Sequence, residues 1–145
     1  MLGVMVITWA WAENALALCI GIIDEKIGAV RGHKVLPLML NKRVSYLRTA
    51  LADIAMLEPL KDSGNLLAER FMDLAPRRNN LVHGSVWTMP HDAFETLHLS
   101  ARARKYAGEQ KGLHIGDVVA FNAEVKDLAD FATAFLRRLG ELLRI

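Results

Sequence analysis

One cysteine, Cys19, in 145 residues excludes an internal disulfide. It fits a chain kept in the reducing cytoplasm. Cys19 lies in an apolar helical run, which makes it a small buried residue and not a nucleophile. Charge is also scarce: 23% of residues are charged against 52% apolar. That balance suits a globule with apolar surface to spare, of the kind oligomers use. Neither sign of charge dominates, and the net charge of +2 permits a nucleic-acid partner without demanding one. His91, His98 and His114 have no ligand-like spacing to Asp or Cys, so no metal site and no cofactor is expected. Repeats, low-complexity tracts and flexible linkers are missing as well. The length is that of one domain, residues 1–145, large enough for a real core.

The first 23 residues raise a membrane question, because they are strongly apolar. Glu13 and Asn14 interrupt them, no basic residue precedes these two, and nothing resembles a signal cleavage site. A soluble core helix over about 4–28 is expected, with no membrane partner. Its apolar residues Met5, Trp9, Ala12, Leu16, Ile20, Ile23 and Ile27 recur at spacings of three and four. Glu13 falls on the face of Trp9, Leu16 and Ile20. A buried carboxylate there needs a partner, for which Arg78 or Arg77 is the candidate; the other reading is a solvated edge.

A basic loop follows, with Arg31, His33 and Lys34 before Pro37. The next helix is predicted over about 41–57, capped by Asn41, with Val44, Leu47, Leu51, Ile54 and Leu57 inward. Lys42, Arg43 and Arg48 face out near its start, where Lys42 and Arg43 are candidate RNA contacts. Tyr46 either stacks with Arg43 on RNA or is half-buried. A break over Pro59–Gly64 leads to a third helix from about Asn65, with Leu66, Leu67, Phe71, Leu74 and Leu81 inward. Pro76 either kinks that helix or begins a new one. Residues 94–100 alternate imperfectly, and 113–115 with Val118 and Val119 offer a return strand, which predicts a small irregular β-hairpin. Arg102, Arg104 and Lys105 make a second basic cluster on it. A last helix is predicted over about 122–143, capped by Asn122, with Val125, Leu128, Phe131, Phe135, Leu139 and Leu142 inward.

The densest chemistry lies in Arg77-Arg78-Asn79-Asn80-Leu81-Val82-His83-Gly84. On a helix Asn79 and His83 are four apart and share a face, and the long Arg78 side chain can curl back towards them. A planar guanidinium suits phosphate oxygens, and imidazole exchanges protons near neutral pH. If Pro76 begins a helix, the motif sits at an N-terminus, where N–H groups and the dipole favour anions.

This stretch resembles the signature of the HEPN superfamily (Higher Eukaryotes and Prokaryotes Nucleotide-binding). That motif is Arg, then four to six residues, then His, with Asn, Asp or His commonly after the Arg. Arg78, Asn79 and His83 fill the three places, late in an apolar helix. The resemblance implies an all-α fold: a bundle of four to five helices, here with a β-hairpin inserted before the last. It implies a homodimer in which two motifs meet in a composite site. It implies a metal-independent endoribonuclease of toxin or defence type, with RNA as substrate and an antitoxin protein as a possible partner. In that role His83 is general base or acid, Arg78 stabilises phosphoryl charge and Asn79 orients, with Arg77, Asn80 and Glu13 supporting. Other members bind RNA, nucleotide or protein without catalysis. One HEPN group has Tyr two residues after the His; this chain has Ser85.

Overall fold

Trp9 and Phe71 meet edge to face at 5.8 Å, and with Tyr46, Phe121 and Phe135 they are the bulkiest fully buried side chains. Each comes from the inward stripe of a different helix or shares one, so the core is where four helices converge. In the computed structural model the described residues are 2–28, 30–89, 93–98 and 110–145, with side chains described for 2–28, 30–82 and 116–145. The helices are α1 (Leu2–Lys26), α2 (Leu40–Asp53), α3 (Lys61–His83) and α4 (Ile115–Leu142). They form a helical bundle in which α1 lies chiefly along α4 and α2 along α3.

Helix α1 ends at Gly28, whose φ of +108° is the left-handed conformation that closes a helix C-terminus. Its N–H donates to the carbonyls of Ile23 and Asp24. The loop that follows is pinned to α1 and α2. The Tyr46 hydroxyl donates to Asp24 at 3.2 Å, and His33 packs edge-on against the Tyr46 ring at 5.1 Å. Arg31 pairs with Asp53 at 3.1 Å. Of the two readings of Tyr46, burial is the one seen, for it is 1% exposed.

Several predicted boundaries move, each for a local reason. Asn41 does not cap α2: the N-cap is Met39 without a side-chain bond, and Asn41 Oδ1 accepts from the next N–H instead. Helix α2 stops at Asp53, and a 3₁₀ turn over Ala55–Leu60 carries Pro59 and buries Leu57 and Leu60. Helix α3 then begins at Lys61, so Gly64 is inside it. A Cβ at Gly64 would stand 2.4 Å from Leu51 Cδ1 and 3.1 Å from the Phe135 ring. The glycine is there for the close approach of α2, α3 and α4, not for a turn. Helix α4 starts at Ile115, which makes Val118 and Val119 helical and leaves Asn122 internal. Val118 shares the helical period of Phe121, Val125 and Leu128, all buried.

Between α3 and α4 the backbone forms β1 (Gly84–Met89), β2 (Ala93–His98) and β3 (Gln110–His114), antiparallel in the order β1-β2-β3. Phe94 stands opposite Thr88 on one side and Leu113 on the other. Arg102, Arg104, Lys105, His91 and Leu99–Ser100 lie outside the described residues.

Candidate functional site

Helix α3 runs through Pro76 without a break. Neither a new helix nor an N-terminal anion site forms there, and the Arg-Asn-His stretch occupies the last turns of a long helix. That is the negative end of the helix dipole, which favours cationic side chains and offers no N–H groups to a phosphate. The phosphate chemistry expected of these residues must therefore come from side chains.

Arg78 occupies a place in the inward stripe. Phe71, Leu74 and Leu81 are buried on the same face, at the spacing where an aliphatic residue would continue the core. The Arg78 guanidinium lies over the Trp9 ring, 5.9 Å from its centroid, and Nη1 donates to Asn79 Oδ1 at 3.0 Å. Its Nε is buried and has no hydrogen-bond acceptor among the described residues. A buried donor left unpaired costs roughly 1–3 kcal/mol and calls for an explanation.

Arg77 points the other way. It forms a two-pronged pair with Glu124 on α4, at 2.6 and 3.2 Å, and lies 4.6 Å over the Phe121 ring. Its guanidinium is thereby tied to α4. A groove of about 410 Å³ beside it is lined by Arg70, Asp73, Leu74, Arg77, Glu124 and Asp127. Two cations and three carboxylates leave that groove without a strong anion preference.

Asn79 is exposed and lines a second groove of about 320 Å³, with Pro76, Ala75 and Met72 from α3 and Met39, Leu40 and Asn41 from the start of α2. This groove joins two regions that the sequence singled out separately, because Asn41 immediately precedes Lys42 and Arg43. Lys42 is exposed, whereas Arg43 Nε donates to the Pro37 carbonyl at 3.1 Å. Asn80 is half-buried. His83 ends α3 by its backbone, and its side chain lies outside the described residues.

The expected link from Arg77 or Arg78 to Glu13 is not made. Glu13 is half-buried with no ion pair or hydrogen bond among the described residues. Trp9, one turn before Glu13, takes the position under Arg78. Sequence reasoning named the right helix face but the wrong residue on it. Trp9 and Glu124 were legible only as a core aromatic and a surface acid. No group of three or more His, Cys, Asp or Glu residues among the described residues is placed to hold a metal ion.

Compared with protein-family models, curated proteins and solved structures, the chain matches none.

Proposed function

We propose that this chain acts on RNA through Arg78, Asn79 and His83, as a metal-independent endoribonuclease of HEPN type with a toxin or defence role. The observation that carries the reading is the state of Arg78. A guanidinium sits in a core stripe, held by Trp9 and Asn79, with one buried donor that has no acceptor among the described residues. An anionic phosphoryl oxygen would satisfy that donor and repay the desolvation. The unbroken helix supports the rest, since it sets Asn79 and the His83 backbone one turn apart on one face.

In the proposed step His83 takes the proton of an RNA 2′-hydroxyl, whose oxygen attacks the adjacent phosphorus. The P–O2′ bond forms, the P–O5′ bond breaks, and the 5′-oxygen leaves with a proton taken from water. The products are a 2′,3′-cyclic phosphate and a 5′-hydroxyl. Arg78 offsets charge growing on the non-bridging oxygens, and Asn79 holds the guanidinium in place. Single-stranded segments would enter most readily by the groove between Asn79 and Asn41.

Purified protein incubated with mixed single-stranded RNA in EDTA tests this. Wild type should leave cyclic-phosphate ends, and Arg78→Ala or His83→Ala should lower cleavage by about 100-fold or more. Undiminished cleavage by His83→Ala would sink the mechanism. The second reading is a binding module without catalysis. It is favoured by the ties of Arg77 to Glu124 and of Arg43 to Pro37, which leave few cations to grip a substrate. RNA retained but uncut by all three proteins would select it.

A further inference from the structure

The groove between α2 and α3 has apolar walls and no charged residue in its lining. Met39 and Leu40 come from the start of α2, and Met72, Ala75 and Pro76 from α3. Met39 and Met72 are 67 and 39% exposed, so a thioether stands open on each wall. Two amides, Asn41 and Asn79, complete the lining. At about 320 Å³ the space is at the small end for a ligand site, with room for one ring system and not for a folded segment.

Both amides are committed in the same sense. Asn41 Oδ1 accepts from the Lys42 N–H at 2.9 Å, and Asn79 Oδ1 accepts from Arg78 Nη1 at 3.0 Å. A backbone N–H and a guanidinium only donate, so each must meet the amide oxygen and leaves the NH2 group as the free end. Neither NH2 group has an acceptor among the described residues. The groove thus offers a guest two hydrogen-bond donors and calls for two acceptors.

We propose that this groove holds a base of the RNA and selects the keto bases, uracil and guanine, over the amino bases, adenine and cytosine. The proposal rests on the RNA reading above and names its base preference. A base is flat, with apolar faces and a polar edge. Its faces suit Met39, Met72 and Pro76, since thioether sulfur packs favourably on aromatic rings. Its edge meets the amides. Uracil O4 and guanine O6 and N7 are acceptors, whereas adenine N6 and cytosine N4 are donors. A keto base satisfies the NH2 groups; an amino base sets donor against donor and leaves covered groups unpaired. Other guests fit less well. A phosphate finds no cation in the lining. An aliphatic chain would strand both amides. A peptide backbone brings as many donors as acceptors, so half its groups would face a donor. The position also agrees with the RNA reading. Asn79 lines the groove and holds Arg78 through its oxygen, so a base bonded to Asn79 is one side chain away from the guanidinium.

Fluorescence anisotropy of short labelled 2′-O-methyl RNAs of one length, in EDTA, tests the groove on the full chain. The methyl group blocks the attacking hydroxyl, so binding is read without cleavage. Wild type should bind oligo(U) and GU repeats about 10-fold more tightly than oligo(C) and CA repeats. Asn41→Asp keeps the oxygen that accepts from Lys42 but puts a second oxygen in place of the donor. It should bring the ratio near parity, a change of about 10-fold, because its added negative charge weakens every oligomer alike and cancels in the ratio. Asn65→Asp makes the same change at an exposed position of α3 outside the groove and should keep the wild-type ratio. A wild-type ratio of one or less, no binding of either class, or a ratio that Asn41→Asp leaves unchanged would overturn the proposal. Unmodified RNA scores the RNA reading separately. Cleavage by wild type without a keto preference in binding would sink the groove alone; a keto preference without cleavage would keep the groove and sink the nuclease.

Discussion

Arg78→Met separates a residue kept for chemistry from one kept for packing. Methionine preserves an unbranched stem in the inward stripe beside Phe71, Leu74 and Leu81. The substitution gives up the cation over Trp9, about 0.5–1 kcal/mol, and one hydrogen bond to Asn79, about the same. It also removes the buried Nε donor that has no acceptor among the described residues, which relieves about 1–3 kcal/mol, and it sets a sulfur near the Trp9 ring, about 0.3–1.5 kcal/mol. The gains roughly equal or exceed the losses, so the change runs from about 1 kcal/mol of destabilisation to about 3 of stabilisation. For a domain of this length each kcal/mol moves the midpoint by about 2–4 °C. Urea and thermal melts of Arg78→Met should therefore match or exceed wild type, while cleavage or binding of single-stranded RNA falls by about 100-fold. A stability loss beyond about 2 kcal/mol with the RNA response intact would refute the reasoning. It would make Arg78 a strut of the core.

Three further outcomes follow from the packing. Gly64→Ala forces a methyl group towards Leu51 and Phe135, both about 1% exposed, so urea melts should show a loss of about 1–3 kcal/mol, outweighing the ~1 kcal/mol that alanine gains in helix propensity. An unchanged midpoint would mean that the three helices stand further apart than described. Burial, aided by Asp24, pushes the Tyr46 hydroxyl up to about 12, above its ordinary value of 10.0. The neutral phenol is thus favoured in the folded chain; its contribution is complete below pH 10 and is lost as pH rises towards 12. Tyr46→Phe should accordingly lose less stability than wild type between pH 10 and 12, by up to about 2 kcal/mol, and parallel pH profiles would count against it. Burial likewise pushes the Cys19 thiol up to about 12, so a disulfide thiol reagent at neutral pH should label it only at the rate of unfolding, in contrast to prompt labelling in urea. Prompt labelling of the folded chain would show Cys19 to be accessible.

The bundle was legible because four apolar stripes repeat at helical spacing, and the inward residues read from α1, α2 and α4 are the buried ones with few exceptions. Boundaries were less legible, because glycine and proline punctuate sequence in more than one way. Gly64 reads as a turn by composition, but its absent side chain admits Leu51 and Phe135, a fact that depends on two other helices. Val118 and Val119 read as strand by β-branching, although Val118 belongs to the period of Phe121 and Val125. Pro76 reads as a possible start, yet α3 continues through it, since packing of Phe71, Leu74 and Leu81 on both sides outweighs one lost hydrogen bond.

The same proline decides the electrostatics of the motif. Had a helix begun there, backbone N–H groups would have faced a phosphate, and the side chains would have had only to orient it. With α3 unbroken, the carbonyl end of the dipole lies closest, and an anion must be drawn by side-chain charge alone. Arg77 is paired with Glu124, so among the described residues the positive charge around the motif rests on Arg78, Lys42 and Arg43, the last tied to a loop carbonyl. The 320 Å³ groove itself is lined by Met39, Leu40, Met72, Ala75, Pro76 and the amides of Asn41 and Asn79, with no charged side chain, so it gives little long-range attraction to an anion. Such a site suits a substrate delivered at high local concentration, or held elsewhere on the molecule, better than one captured from dilute solution by charge.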